Sequence, residues 1–486
     1  MGIVSSQSLK NTVTTYIGFA IGGVNALFLF TNFLEDQYYG LISYILSTAN
    51  IMMPLMAFGV QNTLIKFFNS YKTKNNQNSF LTLMLLLPLL LIIPITIITI
   101  FGYDVIAGLL SQKNEIVNDY VWHILIAAIS MAYFEVFYAW AKAHMKSVFG
   151  NFLKEVFHRF LISALLIGVY FKWLSVEGFI LAAVLTYVLR MLMMQIYAFS
   201  LRLPRLRFKK IDNTPKVLKY SFLIMIAGSI ATVILDIDKF MLGQMIEIEN
   251  VAYYSVAIYI ATVVAVPQRA MHQILLPLTA KFLDNKDKES IDDLYRRSSL
   301  TLFIIGGFIF LMIILNVNEL YKILPPEYSV GTFVVLIICV AKLYDNLLGN
   351  NNAILFNSDY YRMVLFFGIL LTVLAVVLNY IFIPIMGING SAIATLISIF
   401  IYNTVKLLFV NEKFGLQPIT RKTINVAAVI CIFIILFYYW DFWFNPYVNI
   451  ILKSSIIGLA YFIIIYKFKF SEDVNALMDK MLKIFR

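Results

Sequence analysis

Long apolar runs separated by short polar breaks fill the chain from about residue 12 to residue 466. Stretches such as Phe80 to Phe101, Thr423 to Trp440 and Val448 to Tyr466 carry almost no charge. A helix crosses a bilayer with about 20 mainly apolar residues, since the hydrocarbon offers its backbone no partner outside itself. Reading runs against breaks predicts about fourteen spans of roughly 20 to 28 residues. The first six lie near 12–34, 41–68, 80–102, 119–146, 152–171 and 176–199. Six more lie near 217–243, 251–281, 298–318, 328–350, 360–383 and 388–410, and the last two near 423–441 and 447–466. The expected fold class is an all-α polytopic membrane protein.

Composition agrees with the pattern, because 61% of the 486 residues are hydrophobic and 13% charged, against roughly one quarter charged in soluble domains. The net charge of +11 does not indicate a nucleic-acid partner, because its basic residues sit between apolar segments. With the amino terminus inside, the inner connections collect Lys72, Lys74, Lys142, Lys146, the cluster Arg202, Arg205, Arg207, Lys209 and Lys210, then Lys281, Lys286, Lys288, Arg296, Arg297, Lys413, Arg421 and Lys422. The outer ones hold Lys113, Lys172, Lys322 and Lys453 beside Glu35, Asp36, Glu247, Glu249 and Asp441. Cytoplasmic loops collect Lys and Arg, so both termini are expected in the cytoplasm, the carboxyl end with Lys467, Lys469, Lys480, Lys483 and Arg486. The first run, Thr12 to Leu34, is too long for a removable signal peptide and is expected to stay as the first helix. Ser471 to Arg486 is expected to form an amphipathic helix on the inner surface.

The linker from Arg202 to Lys216 separates two sets of six spans. Leu9-Lys10 is matched by Leu218-Lys219, 209 residues later. The run Tyr38-Tyr39-Gly40-Leu41-Ile42-Ser43-Tyr44-Ile45 resembles Tyr253-Tyr254-Ser255-Val256-Ala257-Ile258-Tyr259-Ile260, 215 residues on, and each is followed by a proline, Pro54 or Pro267. Gly178 at the start of the sixth span matches Gly390 at the start of the twelfth, at an offset of 212. Six spans per half makes the repeat parallel, an arrangement that faces two bundles across a cavity and suits alternating access. The expected domains are residues 1–205, the six-helix repeat 206–415, and a two-helix extension with the amphipathic tail, 416–486.

Glu35-Asp36-Gln37-Tyr38-Tyr39-Gly40-Leu41 and Phe58-Gly59 before a basic inner end resemble the opening of the polysaccharide-exporting flippases of the multidrug/oligosaccharidyl-lipid/polysaccharide superfamily. Asp236-Ile237-Asp238-Lys239-Phe240-Met241-Leu242-Gly243 is similar to that family's end of the seventh span, and Gly387-Ile388-Asn389-Gly390-Ser391-Ala392-Ile393-Ala394-Thr395 to its glycine-rich start of the twelfth. The resemblance implies a V-shaped pair of bundles with two appended helices. It implies transport of an undecaprenyl-diphosphate-linked oligosaccharide to the outer leaflet of the bacterial cytoplasmic membrane, feeding O-antigen, capsule or exopolysaccharide. Membrane lipids and other polysaccharide-assembly proteins are the partners it implies, and no cofactor. Lipid-II flippases of the superfamily place arginines in the first helices, whereas the first span here has none, only Asn25 and Asn32.

A diphosphate inside a membrane cavity calls for Arg or Lys, and an ionisable residue within a span is a site candidate by default. Arg269, Arg190 and Lys342, with Asn25, are the candidates for the cavity. Arg269 follows Pro267 about 27 Å along its helix from the outer end, within snorkelling reach of the inner surface. Arg190 and Lys342 sit deeper, and Lys342 has Asp345 three residues on, at ion-pair spacing. Glu135 in the fourth span is a candidate for coupling, with interhelical bonding as the plainer role. Asp236, Asp238 and Lys239 near the outer end of the seventh span are gating candidates, and His272, one turn from Arg269, is more simply a packed residue.

No Gly-rich phosphate loop, nucleophile elbow or His/Cys metal spacing occurs around Cys339, Cys431 or the four histidines, so motif support for an enzyme or a metal site is missing. A cation or drug antiporter of the same superfamily would need a cavity acid in place of a base. A membrane polymerase or ligase generally needs a long outer loop, and the outer connections here are short.

Overall fold

The computed structural model describes residues 3–209, 211 and 213–484; Lys210 and Arg486 of the basic clusters lie outside the described residues. Among these residues the chain is helical with no strand. Ten helices are long and apolar enough to cross a membrane, or eleven when a bent pair in 214–245 is counted as one span. One of the ten, Arg362–Phe414, holds two of the expected segments, since Gly387 at φ 57° and ψ −133° interrupts the helix between them.

The chain forms two compact units, Met1–Ser255 and Val256–Arg486. In the first, α1 is Ile3–Val24, continued by a π-helical turn Asn25–Leu29 and by Phe30–Phe33. Then come α2 (Asp36–Met56), α3 (Lys74–Phe101, bent at Pro88), α4 (Val121–Ala143), α5 (His158–Tyr170, preceded by Val148–Phe152 and a second π turn Leu153–Phe157), α6 (Val176–Leu201) and α7 (Thr214–Met245). Helix α8 (Glu249–Thr262) contains the division between the units. The second unit continues with α9 (Val266–Asp284), α10 (Lys288–Ile314), α11 (Thr332–Leu347), α12 (Tyr361–Phe414), α13 (Arg421–Phe437), α14 (Pro446–Lys467) and α15 (Glu472–Ile484).

Helix starts follow their capping residues, whose side chains satisfy backbone N–H groups left free in the first turn. Ser175 Oγ accepts from Gly178 N at 3.1 Å ahead of α6, Asp287 from Ser290 N at 3.0 Å ahead of α10, and Asn445 from Val448 N at 2.9 Å ahead of α14. Thr420 and Thr423 close a reciprocal box ahead of α13. The Gly178 motif is therefore part of a helix start.

In the first unit, α4 is the central strut. It packs on α2 and α6, and its Phe134, Val136 and Trp140 lie in a fully enclosed core with Phe80 and Met194. Helix α7 packs along α2. Their approach is set by Gly59, at φ +67°, where a Cβ would run into the Ser221 carbonyl oxygen. Ser221 Oγ donates to Phe58 O at 2.8 Å and Thr63 Oγ1 donates to Ser221 Oγ at 3.1 Å in the same spot. Gly59→Ala would strain the backbone by about 1–2 kcal/mol and push α7 away. The expected result is a thermal midpoint in detergent several degrees lower, and an unchanged midpoint would contradict this account of the contact.

In the second unit, Tyr295, Phe367 and Val410 join α10 and α12. Helix α15 docks on α10 and α14: Arg297 donates to both oxygens of Asp473, from Nε at 3.1 Å, and Tyr466 OH donates to Asp479 at 2.7 Å. The amphipathic tail is thus a packed helix. A cavity of about 590 Å³ lies beside it, lined by Met271, Leu275, Phe282, Asp293, Arg297 and Leu477 among others.

Candidate functional site

The first unit gathers charge at membrane depth. Helices α4, α5 and α6 bring together Lys142, Lys154, Arg159 and Arg190 with Glu135, Glu155 and His158. Four cations and two carboxylates leave two surplus positive charges. Glu135 lies ~12 Å along α4 from its end at Ala143, and Arg190 ~17 Å along α6 from its end at Leu201, so these two are no loop residues.

Each cation is held differently. Lys154 Nζ donates to Glu135 Oε1 at 2.6 Å, a charge-assisted bond of full strength. Arg159 stands 3.7 Å from Glu155, one turn away on its own helix. Lys142 lies over the Tyr138 ring at 3.7 Å. Arg190, only 7% exposed, lies over Phe134 at 4.3 Å and Tyr187 at 4.8 Å. Its Nε and one nitrogen of Arg159 are covered and have no hydrogen-bond partner among the described residues. Covered guanidinium donors without acceptors are costly unless an anion completes them.

Two π turns support the cage. Leu153–Phe157 in the fifth span carries Lys154 and Glu155, and it packs on the first span beside the turn Asn25–Leu29. At Gly18 a Cβ would collide with the Glu155 carbonyl, so the helices touch backbone to backbone. Asn25, 4% exposed, donates from Nδ2 to Arg159 O at 2.8 Å and accepts from Ser163 Oγ at 2.6 Å. It straps the first helix to the fifth behind the cations. Single π turns recur where a helix carries function, because the widened turn loosens the hydrogen-bond ladder.

Asp236, Asp238 and Lys239 lie on α7, and Asp236 interacts electrostatically with Tyr187, one of the rings under Arg190. Asp236 lies within hydrogen-bonding reach of Ser47 and Asn50, and Asp238 accepts from Tyr254 OH at 2.6 Å. In the second unit Lys342 Nζ sits 4.0 Å from Asp345, whose carboxylate also accepts from Asn403 Nδ2 at 2.6 Å. Arg269 is exposed on α9 and His272 half-buried, neither with an ion pair among the described residues. Of the expected residues, then, Arg190, Glu135 and Asn25 meet in one place, and Lys342 meets Asp345.

Several charged groups escaped the sequence reading. Lys154, Glu155, His158 and Arg159 sat at the expected start of the fifth span and were passed over, although charges at i, i+1, i+4 and i+5 mark one helix face. Lys406, 2% exposed, lies over the Tyr402 ring at 4.3 Å near Asp345, and a lone lysine in an apolar span was the signal for it. Lys406→Met removes a buried cation that has no ion pair among the described residues while keeping its volume. It is expected to raise the thermal midpoint, by up to a few kcal/mol of stability; a lowered midpoint would mean that Asp345 depends on Lys406.

The family model described as polysaccharide biosynthesis protein matches residues 8–282, more than half of the chain. The chain belongs to the polysaccharide biosynthesis protein family. Its matched part contains the whole cage, including both π turns. Among curated proteins, none matches the sequence. Among solved structures, the chain resembles the lipid II flippase MurJ in an inward closed conformation, with TM-score 0.76 and 12% identity over 94% of this chain and 98% of that one. It also resembles an inward-facing multidrug resistance MATE family transporter of the MOP superfamily, with TM-score 0.60 and 16% identity over 85% and 95%. A MATE structure in complex with MaL6 gives TM-score 0.58 at 15% identity, over 84% and 96%. At these identities the likeness establishes the fold alone.

Proposed function

We propose that the protein is a flippase that carries a polyprenyl-diphosphate-linked oligosaccharide from the inner to the outer leaflet of the bacterial cytoplasmic membrane, with both termini cytoplasmic, for polysaccharide assembly. The observation that supports this most is the charged cage of the first unit, with two surplus positive charges and covered, unmet guanidinium donors. A diphosphate joined to a lipid at one end and a sugar at the other carries two negative charges, which match that surplus. Arginine suits the task because its planar fork pairs with phosphate oxygens and keeps its charge. The family and the inner-side clustering of basic residues support the setting. A cationic cargo fits poorly, since the surplus positive charge repels it and Glu135, the best-placed acid, is already paired with Lys154. The test is deletion of the gene in its host: surface glycan should vanish while its lipid-linked precursor accumulates on the inner leaflet, and normal surface glycan would overturn the reading.

A further inference from the structure

We propose that Glu135 is a resident counter-anion, displaced from Lys154 by the cargo's diphosphate and handed to Lys142. The inference rests on the reading that a phosphate-bearing cargo enters the cage.

Only one of the four cations is strongly engaged. Lys154 binds Glu135 at 2.6 Å, whereas Arg159 keeps its carboxylate at 3.7 Å and Lys142 and Arg190 rest on aromatic rings. An incoming diphosphate pairs first with Arg159, whose side chain is 26% exposed, and reaches the covered nitrogens of Arg159 and Arg190 as these side chains shift to admit it. It then stands next to Glu135. Two neighbouring anions repel, so they cannot share Lys154 without cost.

The exchange needs a mobile cation and a second partner for the carboxylate, and both are present. The Lys154 side chain is 43% exposed against 13% for Glu135, and it projects from the loosened π turn. Lys142 lies two turns beyond Glu135 on α4, on the same helix face, and interacts with it electrostatically. Its ammonium is parked on Tyr138, a contact weaker than a charge-assisted hydrogen bond. Glu135 can therefore leave one ammonium for another and is never stranded. On the outward step the carboxylate returns to Lys154 and helps expel the cargo. Without it, the empty cage would hold a diphosphate too tightly to turn over.

The test uses the full chain in nanodiscs at fixed low salt, with farnesyl diphosphate as the probe and its affinity as the readout. Glu135→Gln is expected to bind about tenfold tighter than wild type, but less than about twofold tighter when Lys154→Met is already present, because neighbouring residues that compete directly are non-additive. Glu135→Asp, which keeps the charge but is too short to hold Lys154, should also bind tighter. Equal gains from Glu135→Gln in both backgrounds, or wild-type affinity in Glu135→Asp, would reduce Glu135 to a distant field and overturn the exchange alone. Absence of binding by wild type would overturn the phosphate reading of the cage and the exchange with it.

Discussion

Arg190→Ala is expected to reduce export of glycan to the cell surface by about a hundredfold or more with the protein still present at wild-type level. The magnitude follows from what the guanidinium does. It is 7% exposed, stacked between Phe134 and Tyr187, and has an unmet Nε donor. Truncating one partner of a buried, hydrogen-bonded charge pair costs about 2–5 kcal/mol or more, and here the loss falls on the state with cargo bound. Removing Arg190 also lowers the cage surplus from two charges to one, below the charge of a diphosphate diester. Arg190→Lys keeps the charge and loses the planar fork, so it should fall between the two. Surface glycan normalised to protein level is the measurement. Full export by Arg190→Ala would remove the residue from the site.

Asn25→Leu should be the most damaging single change outside the charged groups. Its amide both donates to Arg159 O and accepts from Ser163, so a leucine removes both bonds between the first helix and α5, while Ser163 Oγ keeps Arg159 O as its acceptor at 3.0 Å. Each lost bond is worth about 0.5–1.5 kcal/mol, and the loss loosens the contact between the first π turn and α5. The thermal midpoint in detergent is expected to drop clearly and farnesyl diphosphate binding to weaken, because Arg159 and Lys154 sit on the helix that Asn25 holds. Asn25→Asp, which keeps the acceptor, should lose less. A leucine variant with wild-type midpoint and affinity would contradict the strap.

The all-helical, membrane-spanning fold was legible in the sequence because its signal is long and redundant: apolar runs of membrane length recur from end to end. The site was legible only in part, and the reason is geometric. Arg190 and Glu135 stood out as single ionisable residues in apolar runs, but the partner of Glu135 is Lys154, on another helix and 19 positions away. No spacing rule within one helix reaches it. The π turns also left no mark in a pattern read at the ordinary helical period, and they rotate Lys154 and Asn25 relative to that reading. Asn25 was placed on the cavity as a polar contact, whereas its amide is spent on Arg159 O and Ser163. Lys406 lies inside an expected span with no partner at helical spacing to mark it, whereas Lys342 and Asp345 announce each other at i, i+3.

Proteoliposomes containing the purified chain and a fluorescent prenyl-diphosphate sugar measure the transport claim most directly, with a membrane-impermeant quencher added outside. The account predicts that quenching proceeds past the outer-leaflet share to nearly all of the label, and that Arg190→Ala vesicles stop where protein-free vesicles stop. Wild-type vesicles that also stop at the outer-leaflet share would contradict it.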